Sequence, residues 1–130
     1  MSVSSRRGKA LIEKGWGSLP PPSPLMKDIA EITERYLFGE IWSRPGLKVR
    51  DRSMITIAAL TVLGRERQLR SHLRASFKLG LTRNELKEMM LHLANYGGWA
   101  SGVTGLIILE EILAEKKVKS ASKSKHHTKK

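Results

Sequence analysis

The chain contains no cysteine. Disulfides and thiolate metal sites are therefore excluded, and the composition fits a reducing, cytoplasmic setting. Long apolar runs are missing as well. The longest, Met54 to Leu63, is interrupted by Thr56 and Thr61 and is far too short to span a bilayer, so no membrane association is expected. Arg6, Arg7 and Lys9 are followed by no apolar h-region, so no secretory signal is expected. No segment alternates apolar and polar residues with period two, which leaves an all-α fold class. Histidine is scarce: His126 and His127 lie in a lysine-rich tail, and His72 and His92 have no matching carboxylate motif. No metal is expected.

What is present is mostly basic. The net charge of +12 divides unevenly: +3 over residues 1–22, +2 over 23–115 and +7 over 116–130, where seven lysines stand with no acid. The middle of the chain is near neutral, so no nucleic-acid face is expected on it. The tail KKVKSASKSKHHTKK has few apolar residues to pack and reads as disordered, able at most to attract polyanions weakly. The expected organisation is a basic N-terminal segment with a proline-rich linker (1–22), a helical domain (23–116) and a disordered tail (117–130). A chain of 130 residues fits one such domain.

Helical spacing carries most of the organisation. A short helix is expected over residues 1–15, ended by Pro20, Pro21, Pro22 and Pro24. Ile29, Ile32, Tyr36 and Leu37 predict a helix from about Pro24 to Phe38, with Trp42 on a short segment before the turn Ser43-Arg44-Pro45-Gly46. Asp51 reads as an N-cap and Gly64 as the close of a helix that is apolar on nearly every side, hence central and covered on most faces. A further helix is expected from about Arg65 to Leu79, ending at Gly80. Thr82 and Glu85 form a capping box for a helix bearing Leu86, Met89, Met90 and Leu93 on one stripe. A last helix, about Trp99 to Lys117, is expected to bury Val103, Leu106, Ile107, Leu109 and Leu113. So many apolar faces exceed what one small chain can cover, and a partner chain is expected to take the surplus.

Few residues can carry chemistry. His72 falls on the flank of its helix's apolar stripe, beside Leu69 and Leu73, as either a hydrogen-bonded structural residue or a catalytic one. His92 lies four residues after Glu88, a spacing that allows an exposed ion pair or hydrogen bond, and four before Tyr96, near the helix end. Arg44, Arg50 and Arg52 cluster about one turn, as solvated surface or as carboxylate clamps, since guanidinium forks pair bidentately with carboxylates. Trp42, Tyr36, Tyr96 and Trp99 either pack a core or subunit contact or line a pocket.

An ordered series of motifs, FGEIWSRPGL, RDRSMITIAAL, LRSHLRASFKLGLTRNEL and the helix ending at Tyr96-Gly97-Gly98, resembles the carboxymuconolactone decarboxylase family. The resemblance implies an alkylhydroperoxidase-D-like fold of about five to six helices that assembles as a homo-trimer or homo-hexamer, with sites near subunit contacts. The family holds a cofactor-free decarboxylase and a dithiol peroxidase. The cysteines of the latter would fall at Arg65 and Gln68, and without them the thiol route is closed. The resemblance thus implies a lyase that uses no cofactor, on γ-carboxymuconolactone or a related carboxylated lactone of aromatic catabolism. His72, matched with Gly80 by spacing, would be the proton-transfer residue. Arg44, Arg50, Arg52, Tyr96 and Trp42 would be substrate-binding. Family members commonly place a proline two or three residues after the tyrosine; Trp99 stands in that stretch here, and its indole would reshape the pocket. The alternatives are a non-catalytic oligomeric scaffold and a polyanion-binding protein.

Overall fold

The computed structural model describes residues 1–128, and of residues 124–128 it describes the backbone only. The described residues are all-helical: α1 (Val3–Trp16), α2 (Lys27–Ile32) running on into a π-helical stretch (Thr33–Ile41), α3 (Val49–Leu63), α4 (Glu66–Ser76), α5 (Arg83–Gly97) and α6 (Trp99–Thr128). None is long and apolar enough to cross a membrane. They gather into two compact units. One is Met1–Thr56 with Arg74–Thr82; the other is Ile57–Leu73 with the chain from Arg83 onward.

The first unit includes the N-terminal segment. Ser2 caps α1, its hydroxyl accepting the Ser5 N–H at 3.1 Å. Gly8 on α1 and Gly39 on the π-helical stretch permit a close approach. A Cβ on Gly8 would fall on the Glu34 carbonyl, and one on Gly39 would fall on the Ser4 carbonyl. Phe38, Trp42 and Leu79 form the core, with Leu11, Ile12, Trp16 and Val49 packed against it. Trp16 meets Phe38 edge-on, with ring centres 5.3 Å apart. The stripe that predicts the second helix, Ile29, Ile32, Tyr36 and Leu37, is exposed in the single chain, and Phe38 and Gly39 are buried instead. Ile29 and Ile32 lie on α2, which buries no residue; over Thr33–Ile41 the i→i+5 register accounts for the outward turn of Tyr36 and Leu37. Its last bond runs from the Trp42 N–H to the Leu37 carbonyl at 2.8 Å, and that register turns each residue away from the face a 3.6-residue period assigns it.

α3 starts at Val49, so Asp51 sits in its first turn rather than at its cap. The Lys48 carbonyl already accepts the Arg52 N–H at 3.0 Å. The carboxylate still favours the positive end of the helix dipole. α3 is not covered on most faces. Its fully buried positions are Ser53, Ile57 and Thr61, a single stripe with two hydroxyls, while Ile55, Val62 and Leu63 are exposed. The helix ends as expected at Gly64 (φ 71°), and the turn after α4 ends at Gly80 (φ 107°). At both, the following N–H, of Arg65 and of Leu81, reaches the carbonyl five residues back, which satisfies end carbonyls that the helix leaves unpaired.

In the second unit, α5 directly follows Thr82 and carries Glu85 in its first turn, as the capping box predicts. It buries Leu86, Met90 and Ala94, and Met90 and Ala94 pack on Gly102 and Gly105 of α6. α6 departs from expectation in two ways. Of the residues expected to be buried, Leu109 is buried and Leu113 half-buried, but Val103, Leu106 and Ile107 are exposed and Ile108 and Ile112 are buried in their place. Apolar residues stand on both its sides, so periodicity does not choose the buried one; the two glycines do, by admitting α5. It also continues past Lys117 as helix to Thr128, where a disordered tail is expected. No proline or glycine stops it, lysine is a good helix former, and cations suit the negative end of the dipole. Residues 129–130 of that tail lie outside the described residues.

Candidate functional site

Arg44, Arg50, Arg52 and Trp42 belong to the first unit, and His72 and Tyr96 to the second. In the first, the turn before α3 is fixed by the Ser43 hydroxyl, which donates to the Phe38 carbonyl at 2.7 Å, and by the Arg44 N–H to the Ile41 carbonyl at 3.2 Å. Arg52 reaches back from α3, its Nη2 donating to the Arg44 carbonyl at 3.2 Å. Its Nε is shielded from water and has no partner among the described residues. The Arg50 Nε donates to the Gly80 carbonyl at 3.2 Å, and its aliphatic stem passes 3.6 Å from where a Gly80 Cβ would stand. A carboxylate oxygen of Asp51 lies 3.8 Å from Arg50 Nη1, a half-exposed pair that contributes little.

The helix start thus holds guanidinium groups in place through backbone carbonyls rather than through strong ion pairs, an arrangement suited to an anionic guest. Arg44 itself is exposed. Trp42 is not at a surface. Only 6% of it is accessible, and its ring lies 4.9 Å from that of Phe38, so its position is one of packing.

In the second unit, α4 buries Leu69 and Leu73 completely and holds His72 on the flank of that stripe, half-buried. The Nδ1 of His72 is shielded from solvent. Burial strips water from the charged form and pushes the pKa below its ordinary 6.5, so the resting imidazole is neutral at neutral pH. On the same helix Arg70 pairs with Glu111 of α6 at 2.6 Å. Tyr96, in the last turn of α5, is 80% exposed and stacks on His92 with ring centres 4.9 Å apart. Among the described residues no group of three His, Asp or Glu could hold a metal ion.

One feature escapes the sequence reading. A cleft of about 790 Å³ lies between α1, the proline-rich linker and α2. Ile12, Leu19, Met26 and Ile29 give it apolar walls, and Lys9, Glu13 and Glu34 are its charged members. With two carboxylates and one ammonium it is poorly matched to a dianion. None of the candidate site residues, Arg44, Arg50, Arg52, Trp42, His72 and Tyr96, lines it. The signal available was the run of prolines beside an amphipathic helix, which reads as a linker rather than a wall.

The model of the carboxymuconolactone decarboxylase family matches residues 27–111. Over 89 residues the chain is 44% identical to a 4-carboxymuconolactone decarboxylase of Acinetobacter baylyi, covering 68% of this chain and 66% of that one. It is 28% identical over 91 residues to a nitrosuccinic acid decarboxylase of Metarhizium robertsii, covering 70% and 64%. It is 33% identical over 88 residues to an uncharacterized protein of Paracoccus denitrificans, covering 66% and 65%. The chain thus spans just under two thirds of the length of each of these relatives.

Proposed function

Because the chain belongs to the carboxymuconolactone decarboxylase family, we propose that it is a cytoplasmic decarboxylase, working without a cofactor, that releases CO2 from γ-carboxymuconolactone or a closely related carboxylated lactone of aromatic catabolism. The observation that carries the reading is the 44% identity to the Acinetobacter enzyme, and the second decarboxylase among the relatives supports the reaction class.

The substrate supplies its own electron sink. The bond to the departing carboxylate breaks, its electron pair runs through the ring alkene to the lactone carbonyl, and an enolate-like oxygen forms. A proton then returns to carbon, so CO2 leaves and one proton is consumed. The chain must hold a dianion, stabilise the enolate with preorganised donors and deliver the proton. Arg50 and Arg52, tied to backbone carbonyls, are the clamps, with Arg44 beside them. His72 delivers the proton. Burial keeps it neutral at rest, so it takes up a proton before it delivers one. Tyr96, exposed in the single chain, serves the substrate from a subunit contact of a homo-trimer or homo-hexamer.

The test is turnover of γ-carboxymuconolactone by the wild type, His72→Ala and His72→Gln. Removing a general acid should lower kcat by about 10²–10⁴, with little change in KM because the arginines hold the dianion. Wild-type kcat in both variants would remove His72 from the role. No turnover of any carboxylated lactone by the wild type would overturn the reading and favour a non-catalytic scaffold.

A further inference from the structure

α6 changes character midway. Through Leu113 it is a packed helix; from Ala114 to Lys123 every side chain is exposed. At about 1.5 Å per residue, the stretch from Ala114 to the helix end projects about 22 Å beyond its last packed turn. The family match stops at residue 111, before this arm begins. Lys116, Lys119 and Lys123 follow one another at i, i+3 and i+7 and so share a face. That face continues the one that Gly105, Ile108 and Ile112 bury further back. Where the fold stops covering it, the stripe turns from apolar to cationic. Residues 116–130 hold seven lysines and no acid, which is most of the chain's net charge of +12.

We propose that this helical arm binds the phosphate backbone of duplex nucleic acid without regard to sequence, a function separate from the decarboxylase reading and not dependent on it. Three features choose the partner. The arm is a row of ammonium groups, point charges that neutralise phosphates and release their counterions. It has no apolar face: Val118 and Ala121 are its only hydrophobic residues after Ala114, far too few to enter a lipid interface. It has no tryptophan, tyrosine or phenylalanine to stack single-stranded bases, and no arginine, asparagine or glutamine to read base edges. What remains is backbone contact with a dense, regular line of negative charge.

The experiment uses the full chain and a fluorescent 20-base-pair DNA duplex, with affinity measured from 50 to 200 mM salt. Three lysine contacts alone predict a loss of about 40-fold over that range. The variant Lys116→Gln/Lys119→Gln/Lys123→Gln should flatten the plot of log affinity against log salt by about 2.7. A control that removes equal charge from α1, Arg6→Gln/Arg7→Gln/Lys9→Gln, should leave the slope near wild type. Circular dichroism checks that both variants keep their helix content, and decarboxylase turnover should not change in the lysine variant. An unchanged slope in that variant would overturn the proposal, and so would an equal effect of the α1 control. Binding to polyglutamate or to phosphatidylserine vesicles as tight as to the duplex would overturn it too, by showing an acidic protein or a membrane to be as good a partner.

Discussion

His72 is half-buried on the flank of a stripe whose leucines are wholly buried, and this placement makes it an imidazole that resists protonation. The consequence for stability follows by linkage. As pH falls below about 6.5, the ordinary histidine value, the unfolded chain takes up the proton first. The native state, with its pKa lower, does not share that gain until the pH is lower still. His72 therefore destabilises the fold progressively on acidification and is without effect above neutrality. His72→Gln, which cannot titrate, should lose less stability than the wild type between pH 7 and pH 5 in urea melts. A wild-type-minus-variant difference that is constant across that range would contradict the burial argument. The flank position of His72 was legible from its spacing to Leu69 and Leu73. The tether of Arg50 to the Gly80 carbonyl was not, because it joins residues thirty apart in sequence, and no local pattern encodes it. Trp42 shows the converse: its chemistry suits a pocket, but Phe38, four residues earlier, draws it into a core.

At the scale of elements, the turns were more legible than the faces. Gly64 and Thr82 mark helix ends where the structure has them, since each acts through its own backbone or its neighbours', whereas Gly80 closes the turn that follows α4, which stops at Ser76 rather than Leu79. Faces depend on what approaches, and there the sequence misleads twice. Ile29 and Ile32 on α2 and Tyr36 and Leu37 on the π-helical stretch stand exposed, and α6 buries the side that carries Gly102 and Gly105. Small residues at close approaches were the overlooked signal. Gly8 tests this directly. A Cβ there meets the Glu34 carbonyl, a backbone atom that cannot rotate away. Gly8→Ala should cost about 1–3 kcal/mol by the overpacking rule. Gly46→Ala has nothing within 4 Å of its Cβ and should be neutral or stabilise by up to about 1 kcal/mol through the unfolded chain. Equal midpoints for the two variants in chemical denaturation would mean that α1 does not pack as closely as the glycines indicate.

At the scale of the whole molecule, the single chain leaves many large apolar side chains exposed. α6 is the clearest case. Ile108, Leu109 and Ile112 are buried, and on the other side Trp99, Val103, Leu106 and Ile107 are exposed. α3 adds Val62 and Leu63, with Val62 standing against Gly97 at the end of α5. Burying one large aliphatic side chain contributes about 1.5–3 kcal/mol, and large contiguous apolar patches on soluble proteins commonly mark interaction sites. The same excess was legible in the sequence as helices with too many apolar faces; which face stays open was not, because it is set by the approach of α5. The expected outcome is a homo-oligomer, a trimer or a hexamer, closed through the outer face of α6. Ile107→Glu places a charge at the middle of that face without touching the buried stripe. Sedimentation velocity at micromolar concentration should show the wild type as an oligomer and the variant shifted toward monomer, with helix content retained. A wild type that sediments as a folded monomer would refute the assembly, and an oligomer indifferent to Ile107→Glu would move the contact to another face, the exposed Ile29, Ile32 and Tyr36 of the first unit being the next to probe.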